Sequence, residues 1–206
     1  MKRVAIGLHR RREDVEPLAE AIAASGLVVS AMAVADDQPI GDRDLLLRVA
    51  DIRAKLLERA TFIAVRYGFT FHTSAQAEAK IAANAARWRQ ILEENRTRVE
   101  LTLKVPAAAQ QPKPDRHAFK SGADYMRALH SAKKIDDSFK HVVEQVIVPI
   151  CVSSRWMTNE FAGLIERDRL QTLAAAGEAL KRACPDVPFL LSAPWPLEVF
   201  ADVDHE

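Results

Sequence analysis

The sequence predicts an α+β protein: two small ferredoxin-like α/β sandwich domains with a long-helix, coiled-coil-like hairpin. Three observations carry this expectation. Short runs rich in β-branched residues alternate with segments of helical period in both halves of the chain. Residues 98–105 alternate apolar and polar side chains without a break, the pattern of a half-buried strand. Two long segments, 74–95 and 121–146, keep apolar residues at three- and four-residue spacing, as paired long helices do.

In the first third, residues 3–8 form an apolar, β-branched run and predict a strand. Over 13–24, Val15, Leu18, Ala19 and Ile22 recur at helical spacing. Pro17 falls early in that segment, where a missing N–H costs little, and Ser25-Gly26 supplies a stop. Residues 27–34 predict a second strand, and Asp36-Asp37-Gln38-Pro39 a turn. Leu45, Val49, Ile52 and Leu56 mark one buried face of a helix over 42–59. Phe62, Ile63 and Val65 favour a strand over 61–65. This order of strands and helices is ferredoxin-like, and the first domain is placed at residues 1–72.

The second domain, 73–206, opens with helix 74–95, whose face is Ile81, Ala85, Trp88 and Leu92. In strand 98–105, Val99, Leu101, Leu103 and Val105 point one way and Arg98, Glu100, Thr102 and Lys104 the other. Pro106, Pro112 and Pro114 among Ala, Gln and Lys make 106–120 an exposed, flexible loop. Helix 121–146 then carries the stripe Tyr125, Leu129, Ala132, Ile135, Phe139, Val142 and Val146, and helix 74–95 is its expected antiparallel mate. Pro149 ends it. Strands over 150–156 and 160–165 join through Met157-Thr158-Asn159, and a helix over 168–184 takes Asp168 as its N-cap. A last strand, 187–192, leads into Ala193-Pro194-Trp195-Pro196.

Composition narrows the function. The 206 residues carry 29 Lys and Arg against 28 Asp and Glu, a net charge of +1. No basic tail or strongly cationic domain stands out, so nucleic acid is not an expected partner. No apolar run approaches the ~20 residues of a membrane-spanning helix, so no membrane partner is expected. The opening Met1-Lys2-Arg3 runs through a short apolar stretch into His9-Arg10-Arg11-Arg12, unlike a secretory signal. Two cysteines, Cys151 and Cys184, make no disulfide framework and fit a reducing, cytoplasmic setting.

Catalytic and cofactor motifs are missing. Only 7 glycines are spread along the chain, and no phosphate loop or Gly-x-Gly-x-x-Gly is formed. The histidines His9, His72, His117, His130, His141 and His205 are scattered; His130 and His141 read as surface residues rather than metal ligands. No cofactor, metal or catalytic residue is expected, and the chain reads as a non-enzyme. The run 9–12 reads as a solvated loop whose charge Glu13, Asp14 and Glu16 offset. Cys151 reads as inert core. Glu100 and Lys104, four apart on one strand face, read as members of a cross-strand ionic ladder or as contacts to the loop around Arg66, rather than an acid/base couple.

Four segments taken in order resemble one known family. They are residues 62–71 (Phe-Ile-Ala-Val-Arg-Tyr-Gly-Phe-Thr-Phe), 98–105 (Arg-Val-Glu-Leu-Thr-Leu-Lys-Val), 121–126 (Ser-Gly-Ala-Asp-Tyr-Met) and 189–196 (Phe-Leu-Leu-Ser-Ala-Pro-Trp-Pro). The set resembles the GvpL/GvpF family of gas vesicle proteins over residues ~60–200. That family carries Pro-Leu/Val-Arg-Phe/Tyr-Gly-Thr, a helix, a Val-Glu-x-x-Val/Leu-Lys-Val strand, a Gly-x-x-Tyr-Leu helix start and a Gly-Pro-Trp-Pro-Pro-Tyr-x-Phe ending. This chain departs from the pattern at Ala64, Phe69, Ala193, Leu197 and Glu198, and keeps Phe200.

The resemblance implies a two-domain α+β accessory protein that binds the shell protein GvpA, or other accessory proteins, during vesicle nucleation and growth. It places the protein on the gas vesicle or in the cytoplasm. Candidate structural or partner-contact residues are Arg66, Tyr67, Gly68, Glu100, Lys104, Tyr125 and Trp195. Arg66 is positioned to tie its loop down by forked hydrogen bonds, with Glu100 as the expected acceptor. Gly68 permits a tight turn. Trp195, held between two prolines, caps a sheet or anchors a partner. Two other classes stay open: a small-molecule-binding or enzymatic ferredoxin-like domain, and a homo-oligomeric module using the long helices.

Overall fold

A computed structural model describes residues 1–106, 115–132, 137–157 and 160–201. The chain forms two compact units, residues 1–99 with 195–206, and residues 100–194. The expected boundary at 72 and 73 falls inside the first unit, because the helix after it packs on that unit's sheet.

The first unit contains β1 (Lys2–His9), β2 (Glu20–Ala24), β3 (Leu27–Val34), α1 (Arg43–Arg59), β4 (Ile63–Ala64), β5 (Thr70–Phe71), α2 (Ser74–Ile81) and α3 (Ala85–Glu94). Its sheet runs β2-β3-β1-β4, and β5 also pairs with β1. All these pairs are antiparallel. Val4, Ala5, Ile6 and Leu8 are buried on both faces of central β1, which explains the unbroken apolar run.

The helix expected over 13–24 is not formed. A single 3-10 turn, Arg12–Asp14, is followed by β2. Pro17, in a cis peptide with Glu16, has no N–H for an internal helical bond. Ser25 and Gly26 have φ of 49° and 73°, the left-handed pair of a two-residue hairpin turn, and Ala24 faces Leu27 across it. The turn is pinned from outside, since Glu78 accepts hydrogen bonds from the Ser25 N–H and Oγ, both at 2.6 Å. Pairing with β3 satisfies the β2 backbone where a short amphipathic helix would have had only local bonds. Only the β3-to-β4 crossover therefore contains an α-helix, and the ferredoxin-like order loses its first one.

Helix α1 follows expectation. Asp42 caps it by accepting from the Leu45 N–H at 2.9 Å, and Leu45, Val49, Leu56 and Leu57 are buried. Each such side chain contributes roughly 2 kcal/mol by leaving water. The single helix expected over 74–95 is broken at 82–84, where Asn84 N–H and Ala85 N–H reach back only three residues, to Ile81 O and Ala82 O. The buried stripe still runs through the break, from Ile81 to Ala85, Trp88 and Leu92. The chain end also joins this unit. Leu197 bridges Ile63 in parallel, donating to Phe62 O at 2.9 Å and accepting from Ala64 N–H at 2.8 Å.

The second unit begins within β6 (Arg98–Lys104). It contains α4 (Gly122–Ala132), α5 (Asp137–Val146), β7 (Ser153–Trp156), β8 (Glu160–Glu166), α6 (Leu170–Ala183) and β9 (Leu190–Trp195). The sheet order is β7-β8-β6-β9, with β7 and β8 an antiparallel hairpin. The expected loop 106–120 falls largely on residues 107–114, and the continuity of helix 121–146 on 133–136, both outside the described residues. The assigned mate, 74–95, belongs to the first unit, and α5 packs on α6 instead. Asp168 is not an N-cap: it sits in a 3-10 turn, and α6 starts at Leu170 without a side-chain cap. Strand β7 starts three residues later than expected because Pro149 sits in a 3-10 turn, Val148–Ile150. Pro188 similarly delays β9. Among the described residues, no helix is long and apolar enough to cross a membrane.

Candidate functional site

The loop after β4 is shaped by its own backbone. Gly68 has φ of 101°, and Phe69 N–H closes a turn onto Arg66 O at 3.2 Å. A Cβ at Gly68 would meet only Ile40 Cγ2, at 4.0 Å, so conformation and not space requires the glycine. Tyr67 Oη donates to Ile40 O at 2.5 Å, and desolvation, with the Asp42 charge second, raises the phenol's pKa. Arg66 is exposed and its guanidinium has no partner among the described residues, so the expected forked bonds, to Glu100 in particular, are absent.

Arg53 performs the task assigned to Arg66. From α1 its Nε donates to Ile6 O at 3.2 Å and its Nη2 donates to Val65 O. These bonds hold β1 and the end of the β4 segment together. Burial lowers the guanidinium's pKa, and the charge of Glu198 opposes that shift. Arginine suits the place because it keeps its charge and presents several donors at once. The signal in the sequence was a lone charge four residues from both Val49 and Leu57 on the buried face of α1.

His9 is a second missed residue. It is fully buried, stacked on Phe62 at 4.8 Å between ring centroids. Ser30 Oγ donates to Gly7 O at 3.2 Å, so at its 2.9 Å contact with His9 it accepts from Nε2–H. That assigns the tautomer and leaves Nδ1 a buried acceptor with no partner. Desolvation lowers its pKa to about 4, against the opposing charge of Asp14. The arginines after it are offset by acids: Arg10 pairs with Glu93, Arg11 with Asp14 at 2.8 Å, and Arg12 with Glu16 at 2.7 Å. The run is thus a neutralised loop from Arg10 onward, while His9 belongs to the core.

In the second unit, Glu100 is buried and Lys104 is exposed. Lys104 Nζ lies 3.3 Å from Glu160 on neighbouring β8, a cross-strand ion pair. Tyr125 is half-buried, edge-on to Phe119 at 6.0 Å. Trp195, at the end of β9, is 49% exposed. The predicted residues are spread over both units rather than gathered in one pocket. Among the described residues no cluster of His, Cys, Asp and Glu could hold a metal. Cys151 donates from Sγ to Ile147 O at 3.3 Å, and burial pushes its pKa up to about 11, so the thiol stays protonated at neutral pH. His141 is exposed on α5.

An open groove of about 900 Å³ lies inside the second unit. One wall is a single stripe of α6, with Leu170, Leu173, Ala174, Gly177, Glu178 and Lys181. The other wall is residues 187–193, including the start of β9. Leu190, on that wall, is 59% exposed.

No protein-family model matches the sequence, and no curated protein matches it. Solved structures do. The chain is similar to the gas vesicle protein GvpF from an Anabaena species, with a TM-score of 0.69 and 12% identity over 99% of both chains. It is also similar to the gas vesicle protein GvpF from Microcystis aeruginosa, with a TM-score of 0.72 and 11% identity over 98% of this chain and 99% of that one. Likeness from end to end at such low identity is a likeness of backbone architecture, and the chain therefore has a GvpF/GvpL-like fold.

Proposed function

We propose that the chain is a gas vesicle accessory protein that binds the shell protein GvpA, or other accessory proteins, during vesicle nucleation and growth. The observation that supports this most is the end-to-end fold likeness to two GvpF structures, joined to the four ordered segments in the sequence. The chemistry agrees with a binding role. The groove is lined mostly by apolar residues, and the arginine run is neutralised. An aggregation-prone shell subunit needs a partner that covers its apolar surface before assembly. On this reading the protein is not an enzyme, works at the gas vesicle or in the cytoplasm, and uses its two α+β units as scaffolds. Arg66, Lys104 and Trp195, all exposed, are the candidate partner contacts from the sequence. Tyr67, Gly68, Glu100 and Tyr125 are structural.

Capture of co-expressed GvpA and sister accessory proteins by the tagged full chain tests the proposal. Association with at least one is expected. A chain that captures none of them while remaining folded would refute it.

A further inference from the structure

We infer that the outward face of α1 is a self-association surface, on which a second copy of this chain docks its own α1 antiparallel. The inference does not rest on the function proposed above, since both partners are this chain. Helix α1 is held on one side only. Leu45, Val49 and Leu56 are buried there, and Arg53 ties the helix to β1. Another side carries Leu47, 58% exposed, followed at three- and four-residue spacing by Ala50 and Ala54, both exposed. Beside that stripe run Asp44, Arg48, Asp51 and Lys55, all exposed and alternating in sign at four-, three- and four-residue spacing. Arg48 stands four residues after Asp44 and three before Asp51, yet Asp51 holds Lys55, at 2.6 Å. The side chains of Asp44 and Arg48 have no partner among the described residues.

The order of these charges selects the partner. The row balances, and exposed Arg43 and Glu58 add one charge of each sign near the ends, so neither an acidic nor a basic surface gains by meeting it. The row is complementary to itself reversed. A two-fold axis through Ala50 sets each residue before it opposite the residue equally far after it. Ala50 then meets Ala50 of the second copy, Leu47 falls within one residue of Ala54, Arg48 within one of Asp51, and Asp44 within one of Lys55. One residue is about 1.5 Å along a helix, a mismatch that long side chains span. The small alanines let the two helices approach closely. A parallel pair along the same stripe would set every charge against its own copy. The face is small. Its 17 residues make a strip about 25 Å long and roughly 10 Å wide, far short of the ~1,200 Å² of a stable interface. The dimer is therefore weak and forms as concentration rises.

Analytical ultracentrifugation of the full chain alone, at rising concentration, tests the surface. The unsubstituted chain is expected to pass from monomer to dimer at roughly 100 μM. Arg48→Asp and Asp51→Arg each set like charges opposite one another in a homodimer and should weaken it roughly tenfold or more. Mixed in equal amounts, the two variants oppose unlike charges at both contacts and should associate as the unsubstituted chain does. Both positions are exposed, and melting curves verify that each variant folds. Oxidation should cross-link Ala50→Cys, which lies on the axis, but not Ala54→Cys, whose two copies stand about 12 Å apart along the helices. A chain still monomeric at about 1 mM, single variants that dimerise like the unsubstituted chain, or a mixture that stays monomeric each overturns the surface. Equal cross-linking through Ala50→Cys and Ala54→Cys overturns the antiparallel arrangement. The chain is studied alone, so any of these outcomes leaves the capture of GvpA to be decided separately.

Discussion

The two sheets treat their outer edges differently. In the first unit β4 does not end the sheet bare: Leu197, fully buried, bridges Ile63 and exchanges backbone hydrogen bonds with Phe62 and Ala64. In the second unit β9 ends the sheet beside an open groove, and Leu190 is 59% exposed. A strand edge that pairs with its own chain contributes to folding, whereas a largely exposed side chain on an edge strand contributes little. The difference separates a leucine that builds the fold from one that the fold leaves largely in water.

Truncating one leucine at each edge gives the largest expected contrast. Leu197→Ala removes a fully buried side chain and should cost about 3 kcal/mol in chemical denaturation, the middle of the range for a buried leucine. Leu190→Ala, at a mostly exposed position, should change stability by less than about 0.5 kcal/mol. Equal losses at the two positions would show that the β9 edge is packed and that the contrast does not exist.

How far each edge could be read from sequence follows from what shapes it. Apolar periodicity reports burial, and it located β1, β3, α1, β6, β8 and α6. It failed at β2, where Val15, Leu18, Ala19 and Ile22 keep helical spacing over too few residues to outweigh Pro17 and the left-handed Ser25-Gly26 pair. It also failed for the closing contact of Leu197, since a single-residue bridge leaves no period. Arg53 and His9 were missed for another reason. Their roles depend on carbonyls and a hydroxyl supplied by distant strands, and no local pattern encodes those partners. The four-segment resemblance reached the fold because it tracks ordered landmarks rather than local propensity. It could not find the groove, which forms only when α6 and residues 187–193 come together.

His9 sharpens the contrast through pH. Its folded pKa of about 4 lies below the unfolded value near 6.5, so between these values the unfolded chain binds more protons. The contribution of neutral His9 to stability is full above pH 6.5 and is lost as the pH falls toward 4. By pH 5 the loss is about 2 kcal/mol by proton linkage. His9→Phe should flatten this window in denaturation midpoints measured from pH 7 to 5. An unchanged pH slope in the variant would show that other groups carry the acid sensitivity. The effect belongs to the first unit, where the imidazole is stacked on Phe62 and held by Ser30.

The smallest effect expected lies on the second sheet. Lys104 and Glu160 pair across β6 and β8 at 3.3 Å with the lysine side chain largely in water. Solvent screens the attraction, and both long side chains lose rotamer freedom to make it. A double-mutant cycle with Lys104→Gln and Glu160→Gln should give a coupling of only about 0.2–0.5 kcal/mol, falling further as salt is raised. A coupling above about 1.5 kcal/mol would mean that this face of the sheet is drier than its exposure indicates. Lys104 would then be part of the packed structure and no longer a candidate for partner contact.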